Sequence, residues 1–590
     1  MATLLLLTLI AFLPAMRAGW IWDDDYYVTN NRNLRSVGGL VDLWTKLGAV
    51  PQYYPLTHTT FWVEYHLWGL RPAGYHVVNI VLHAASSVLL WLILRRLAVP
   101  GALLAAAVFA VHPLHVESVA WVTERKNVLS GVLYLGAMLA YLKGSGFGVQ
   151  GAGNAQTASG APAFASLNPE PRTLNPRSYS LVLLLFIAAL LSKSVTASLP
   201  AAILLIVWWK RGRITWADLK PLLSMVALGV AMGMLTSHME RTWVGAQGPE
   251  WDLSFAQRLL IAGRAVWFYA WKLVWPTRLT FVYPRWEVDG QAAWQWIFPV
   301  AAIGLLAVAW ALRRRAGSGP LVALLFFGGT LVPALGFVNL LPMRYSFVAD
   351  HFAYLASIGP IVLIVAAIPA RGRLVLGPVL LLVLGVLTFR QCFAYRDLRA
   401  LWLDTIEKNP GAWMARNNYA SLLITDGKLD EAEKELTESI RLKPTVEALM
   451  NLGAIAERRG DLDGALARHR QALALRPENA VAMTSVGRLL AARGEVAAAM
   501  ALLERAAGAF PPYALAYREL GIALRSQGRL DEAIGELRRA LEINPGLAVA
   551  ANDLGIALAA KQDYAEAVEA FGKAVRADAG FADAYNNLGA

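Results

Sequence analysis

ALAYRELGIALRSQGRLDEAIGELRRALEINPGL, residues 514–547, is the stretch on which the reading of the fold turns. Gly521 follows Leu520, Ala533 comes twelve residues behind the glycine, and Pro545 closes the unit. The same marks recur along the chain. Gly453, Gly487, Gly521, Gly555 and Gly589 share one register with a period of 34, and Ala465, Ala499, Ala533 and Ala567 trail the first four. Pro410, Pro444, Pro477, Pro511 and Pro545 end the units, with a single 33-residue step. Small residues let two helices approach closely, and proline ends the second helix of each pair. The pattern predicts an α-solenoid over residues 411–590, with five repeats and part of a sixth.

A 34-residue helical period with these marks is that of tetratricopeptide (TPR) repeats. Such a stack buries its core between neighbours and exposes a concave groove that takes an extended peptide or a partner protein. Asn417, Asn552 and Asn586 fall in first helices, where a groove-facing amide could hold a peptide backbone; solvated asparagines would explain them equally well. The sequence stops at Ala590, inside a first helix and without a polar capping helix, which predicts a truncated array.

The rest of the chain is of another kind. Of 590 residues 57% are hydrophobic and 16% charged, too apolar for an ordinary soluble chain. The apolar residues crowd into runs before about residue 390, so a membrane part (1–390) precedes a connector (391–410) and the repeats. Eleven stretches are candidate spans: 1–18, 76–97, 101–120, 127–143, 179–193, 195–210, 220–237, 292–312, 320–340, 353–370 and 373–390. A twelfth, 258–275, carries Arg264 and Lys272 and reads as interfacial. Leu4–Leu13 lacks a basic segment before it and reads as a first membrane helix rather than a signal peptide. The predicted class is all-α: a polytopic helix bundle followed by a solenoid.

Charge sets the orientation. The net charge is +12, from 54 basic and 42 acidic residues, and no basic groove motif points to nucleic acid. Arg95-Arg96, Lys210-Arg211 with Arg213, Arg313-Arg314-Arg315, and Arg371 with Arg373 fall on one side if eleven helices span. The positive-inside rule makes that side cytoplasmic, leaving the Trp20–Tyr75 loop and the repeats outside. Cys392 is the only cysteine, so neither an intrachain disulfide nor a cysteine zinc site is available. Gly144–Arg177, rich in Gly, Ala, Ser, Asn and Pro, reads as a flexible cytoplasmic linker.

The candidate chemistry gathers on the outer face. Trp22-Asp23-Asp24-Asp25-Tyr26 follows the first apolar run, and three adjacent carboxylates raise one another's pKa. A general base, a metal site or an acidic loop would each account for them. His112, His115 and Glu117 lie at the outer end of the third span, followed by Arg125 and Lys126. Pro113 between the two histidines argues against a helical metal pair. Ser237–Arg241, Arg344 and Asp350-His351 fall on the same side, and an arginine there can hold a lipid phosphate bidentately. The acidic run would admit a divalent cation such as Mg or Mn without demanding one, and no other cofactor is called for.

The ordered set Trp22-Asp23-Asp24, Asn30-Asn31, Tyr54-Pro55-Leu56, Gly74-Tyr75-His76, Asn79, His83 and His112-Pro113 through Arg125, ending in TPRs, resembles the transmembrane and TPR-containing O-mannosyltransferases and their bacterial relatives. The resemblance implies the GT-C glycosyltransferase class, whose members take a sugar from a polyprenyl phosphate on the outer or lumenal face. It implies that Asp23 or Asp24 is the base accepting the proton of an attacking hydroxyl. The leaving phosphate would be met by Arg125, Lys126, Arg344 and His351. A single displacement would invert the anomeric carbon. Asp25 lengthens the usual acidic pair and leaves the register of the base open by one.

The expected function is therefore transfer of a hexose, mannose by resemblance, to a protein Ser/Thr hydroxyl, with the TPRs recruiting acceptor or partner. A membrane-anchored TPR scaffold without catalysis, or a ligase or polymerase of lipid-linked glycans, are the alternatives. The expected place is a bacterial inner membrane with periplasmic TPRs, or the endoplasmic reticulum with the TPRs lumenal.

Overall fold

The computed structural model describes residues 1–146, 175–509 and 512–590, and among them the regular elements are all helical. Pro511 and residues 147–174, most of the expected linker, lie outside the described residues. The chain divides into two compact units, Met1–Ala412 and Trp413–Ala590.

In the first unit a helix falls on each of the eleven apolar stretches, but they differ in length. Pro72–Arg96, Trp216–Thr242, Ala293–Ala316 and Ala370–Tyr395 are long and apolar enough to cross a bilayer. Ala102–Val111 and Pro113–Ala120, bent by 51°, would make a fifth as one broken span. The other stretches give shorter helices, including Ala2–Ala11, Pro176–Leu190 and Ile358–Ala367, or charged ones such as Arg125–Gly144. Among the described residues, four helices, or five with the broken pair, meet this test of length and composition. Breaks at Pro113 and Pro333, and the turn at Leu13–Arg17, shorten the helices that an apolar window reads as continuous.

No residue of Ile297–Ala316 is buried, and Ile297, Val300, Ile303 and Val308 are all exposed. Leu374, Val379, Leu382 and Val386 are likewise exposed along Ala370–Gln391. Long helices that turn aliphatic side chains outward need an apolar solvent, which marks a membrane protein. Phe255–Val274, the stretch read as interfacial, is a 20-residue amphipathic helix whose Arg264 lies over the Trp286 ring.

The expected connector is also structured and falls within the first unit. Leu398–Lys408 is a helix capped by the Asp397 carboxylate, and Trp402 is buried against Trp22 and Phe281.

The second unit contains five helix pairs, from Trp413–Thr425 with Leu429–Leu442 to Ala548–Ala560 with Tyr564–Ala577, then the single helix Ala582–Gly589. The 34-residue marks have a direct steric cause. A methyl at Gly521 would sit 2.7 Å from the Leu537 side chain and 3.2 Å from the Ala533 carbonyl. At Gly487 the same probe meets Leu503 at 2.7 Å and the Ala499 carbonyl at 3.3 Å. Ala465, Ala499, Ala533 and Ala567 are all buried at the facing positions. Glycine in one helix and alanine in the next bring the two backbones together.

Candidate functional site

Trp22 opens the acidic run in a left-handed backbone conformation, φ +45°, which is costly for a bulky residue. Its indole is held edge-on by Trp402 and Phe281, at 5.1 and 6.0 Å between ring centres. This strained turn sends the next two carboxylates in different directions.

Asp24 is fully buried. One oxygen accepts the Ile21 N–H at 2.8 Å, and the other accepts the Thr123 N–H and hydroxyl at 2.9 and 2.7 Å. Burial pushes its carboxyl up to about 7 against these three donors. Asp24 thus ties the loop after the first helix to the loop before Arg125–Gly144. Asp23 is half-buried, and among the described residues no hydrogen bond or ion pair engages its carboxylate. Desolvation raises it to about 6, with Lys126 and His351 opposing and Asp25 and Glu124 adding to the rise. A carboxylate ready to take a proton and left without a partner is suited to general-base work; one with both oxygens occupied is suited to holding structure. Asp23 and Asp24 thus differ in partners: both oxygens of Asp24 are engaged and the Asp23 carboxylate is not.

The same division separates Arg125 from Lys126. Arg125 is fully buried. Its guanidinium donates to Asn79, to Thr60, to Glu64 at 2.7 Å and to the Tyr75 carbonyl at 2.8 Å. Expected as a phosphate ligand, it instead cross-links the helices Pro55–Trp68 and Pro72–Arg96. Lys126 pairs with Glu124 at 3.1 Å, lies over the rings of Tyr27 and Trp121, and lines a cavity of about 260 Å³. Glu124 also receives Lys193 at 3.3 Å and the Asn127 amide at 2.6 Å. Burial alone would raise Glu124, but His351, Lys126 and Lys193 hold it well below the carboxylate range.

His351 lines the same cavity and is oriented by Glu117, which sits 3.0 Å from its ring nitrogen and accepts its backbone N–H at 2.9 Å. His112 and His115 are core residues: their ring nitrogens meet the Leu273 carbonyl and Leu114 N–H, and the Phe109 carbonyl and Ser357 hydroxyl. Neither lines the cavity. Arg344 is paired with Glu250 at 2.9 Å and is also absent from the cavity wall. Among the described residues no three His, Cys, Asp or Glu side chains are grouped to hold a metal ion, and both Asp24 oxygens are taken by N–H and O–H donors.

Sequence reasoning missed Glu124, Lys193 and Gln52. Glu124 was legible as the acid beside two bases. Lys193 and Gln52, which donates to Glu240, stand alone in sequence and become visible only where the chain folds back.

In the repeats, Asn417 accepts from the Asn451 amide at 3.0 Å, and Asn552 accepts from Asn587 at 2.9 Å; both are buried, whereas Asn586 is exposed. Asn417 shares its 34-residue register with Asn451 and Asn587, not with Asn552 and Asn586. Amide bonds between successive repeats therefore account for part of the asparagine recurrence.

Tetratricopeptide-repeat family models match residues 422–480, 456–520 and 512–579. The human protein O-mannosyl-transferase TMTC4 is 35% identical over 160 residues, 23% of this chain and 22% of the relative. The Caenorhabditis elegans protein O-mannosyl-transferase F38B6.6 is 23% identical over 481 residues, 75% of this chain and 63% of the relative. The crystal structure of YrrB, a TPR protein with an unusual peptide-binding site, is 23% identical, covers 32% of this chain and 98% of its own, and superposes with a TM-score of 0.25. The chain spans under two thirds of the length of either curated relative. Over 75% of its length the chain is thus similar to a protein O-mannosyl-transferase, and over its repeats to the tetratricopeptide-repeat families.

Proposed function

We propose that the protein is a membrane glycosyltransferase of the GT-C class. It moves a hexose, mannose by analogy with its relatives' names, from a polyprenyl phosphate to a Ser/Thr hydroxyl on the extracytoplasmic face. The observation that carries the reading is the unpartnered Asp23 carboxylate, within electrostatic reach of Lys126 and His351, which line the cavity. Asp23 accepts the hydroxyl proton as the hydroxyl oxygen bonds to the anomeric carbon from the face opposite the phosphate. The bond from that carbon to the phosphate oxygen breaks, its electron pair leaves with the phosphate, and the configuration inverts. Lys126 and His351 meet the charge that develops on the leaving oxygen. Asp24 and Arg125 hold the loops that present these groups, and Glu117 orients His351.

The repeats recruit the acceptor or a partner protein through their groove, with the exposed Asn586 the most accessible of the three candidate amides. The positive-inside pattern supports an extracytoplasmic site: the periplasm of a bacterial inner membrane or, in a eukaryote, the lumen of the endoplasmic reticulum. A divalent cation is not needed for this step as written.

The test is sugar transfer from radiolabelled polyprenyl-phosphate mannose by the purified full chain. Asp23→Asn should lose a factor of about 10²–10⁴ in rate while its melting temperature does not fall below that of the wild type. Asp24→Asn should melt earlier. Equal transfer by Asp23→Asn and the wild type would sink the proposal.

A further inference from the structure

We propose that Lys193 and Lys126, bridged by Glu124, form the cradle for the phosphate of a lipid-linked substrate, with Lys193 a binding residue in its own right. The inference deepens the transferase reading and rests on it. Lys193 comes from the turn after Pro176–Leu190, and Lys126 from the start of Arg125–Gly144, so two separate chain segments supply the two cations. Both line the cavity.

Counting donors shows what is left over. An ammonium carries three N–H groups. Lys193 gives one to Glu124 at 3.3 Å and one to the Asn127 side-chain oxygen at 2.7 Å, leaving one. Lys126 gives one to Glu124 at 3.1 Å, leaving two above the Tyr27 and Trp121 rings. Both ammoniums are mostly buried, at 14% and 11% side-chain exposure, so the spare donors are withheld from bulk water. Both ammoniums pair with the one Glu124 carboxylate, so their spare N–H groups are left to meet a phosphate anion. Arg125, by contrast, gives four of its five N–H groups to protein acceptors and does not line this cavity.

The remainder of the cavity says which source of phosphate fits. Beyond the lysines most of the wall's surface is apolar, with Val195, Ala334, Val338, Phe352 and Leu355 contributing, and Gln52, Ser237 and Glu240 supply polar groups beside it. A free phosphate would leave that wall wet and unused. An isoprenoid chain would cover it, and each buried methylene contributes about 0.8 kcal/mol. Glu124 holds the two ammoniums apart and aimed when no anion is bound.

The experiment uses the full chain in detergent and measures binding of radiolabelled polyprenyl phosphate without sugar, with inorganic phosphate as competitor. Lys193→Gln should weaken binding by about tenfold or more, the scale of one charge-assisted contact. Lys193→Arg should recover to within about threefold, because it restores the charge. In transfer assays Lys193→Gln should raise the donor KM more than it lowers kcat. On the wild-type protein, bound polyprenyl phosphate should shield Lys193 and Lys126 from an amine-acetylating reagent, read by mass spectrometry, while Lys46, 66% exposed, stays reactive. That arm stands even if Lys193→Gln fails to fold.

Unchanged binding by a folded Lys193→Gln, or equal acetylation of Lys193 with and without lipid, would overturn the cradle. Displacement by inorganic phosphate at equal concentration would overturn the lipid source. Lys193-dependent binding without any transfer would break the transferase reading and leave the cradle standing; Asp23-dependent transfer indifferent to Lys193 would do the reverse.

Discussion

In the repeat unit, residues 34 apart do the same thing; in the membrane unit, residues next to each other do opposite things. Gly487 and Gly521 each admit a leucine and an alanine carbonyl from the following helix. Asp23 and Asp24, or Arg125 and Lys126, share chemistry and sequence position yet differ in every partner. The difference teaches where function can sit. A polar group whose bonds are all made inside the protein holds a shape, and a group left with spare capacity beside a cavity is free to act on a substrate.

The largest effect should come from breaking the membrane-unit contrast at its structural member. Arg125→Met leaves the Glu64 carboxylate buried at 5% exposure without its 2.7 Å partner. Removing one member of such a pair costs about 3–5 kcal/mol. Lys126→Met leaves Glu124 still bound by Lys193 and Asn127, so its stability cost should be nearer 1–2 kcal/mol, about one lost bond to a charged group. Unfolding midpoints in a mild detergent check the pair. Equal loss in both variants would erase the distinction between a strut and a site.

A pH titration sharpens the contrast between the two aspartates. Asp23 rises from 3.8 to about 6 through burial, opposed by Lys126. Between those values the native state binds the proton more tightly than the unfolded chain, so the stability contribution of Asp23 falls as pH rises. The fall is complete above pH 6 and amounts to about 3 kcal/mol at most, two units at about 1.4 kcal/mol each. Transfer needs the ionised carboxylate, so it should rise over the same window with a limb near pH 6. Asp24, raised from 3.8 to about 7, contributes a fall of the same sign that begins in the same window and runs on to about pH 7. Stability curves of the wild type and Asp23→Asn should differ only by the lower step, and a stability curve unmoved by Asp23→Asn would count against this assignment.

How much could be read beforehand follows the same line. The period exposed the helix pairs, their glycine and alanine contacts and their ends, because each residue was seen in several copies. Apolar windows found the helices of the membrane unit but missed the breaks at Pro113 and Pro333, which interrupt runs that hydropathy reads as continuous. Charge and polarity single out Asp23, Lys126 and His351 and, with them, Arg125, His112 and His115, whose hydrogen bonds to carbonyls and side chains no local pattern shows. No local pattern distinguishes a satisfied arginine from a free lysine. Lys193 escaped notice because its meaning lies in Glu124, 69 residues away. The asparagines misled in the other direction: Asn417 and Asn552 look periodic but differ by one position, and each bonds to the next repeat.

The smallest effects test the repeat unit, and there the prediction is sameness. Gly487→Ala and Gly521→Ala each place a methyl 2.7 Å from a leucine side chain and 3.2–3.3 Å from a carbonyl. Each methyl must push the facing leucine and backbone aside, so each variant should lose about 1–3 kcal/mol by overpacking, and by equal amounts. Gly535 supplies the control. It lies inside Leu530–Ile543 with nothing within 4 Å of the position a methyl would take. Alanine there gains helix propensity at no steric cost, about 0.5–1 kcal/mol of stabilisation. Denaturant midpoints of the three variants would show two matched losses and one gain. A large difference between Gly487→Ala and Gly521→Ala would mean that position along the array, and not the shared register, decides what a repeat residue does.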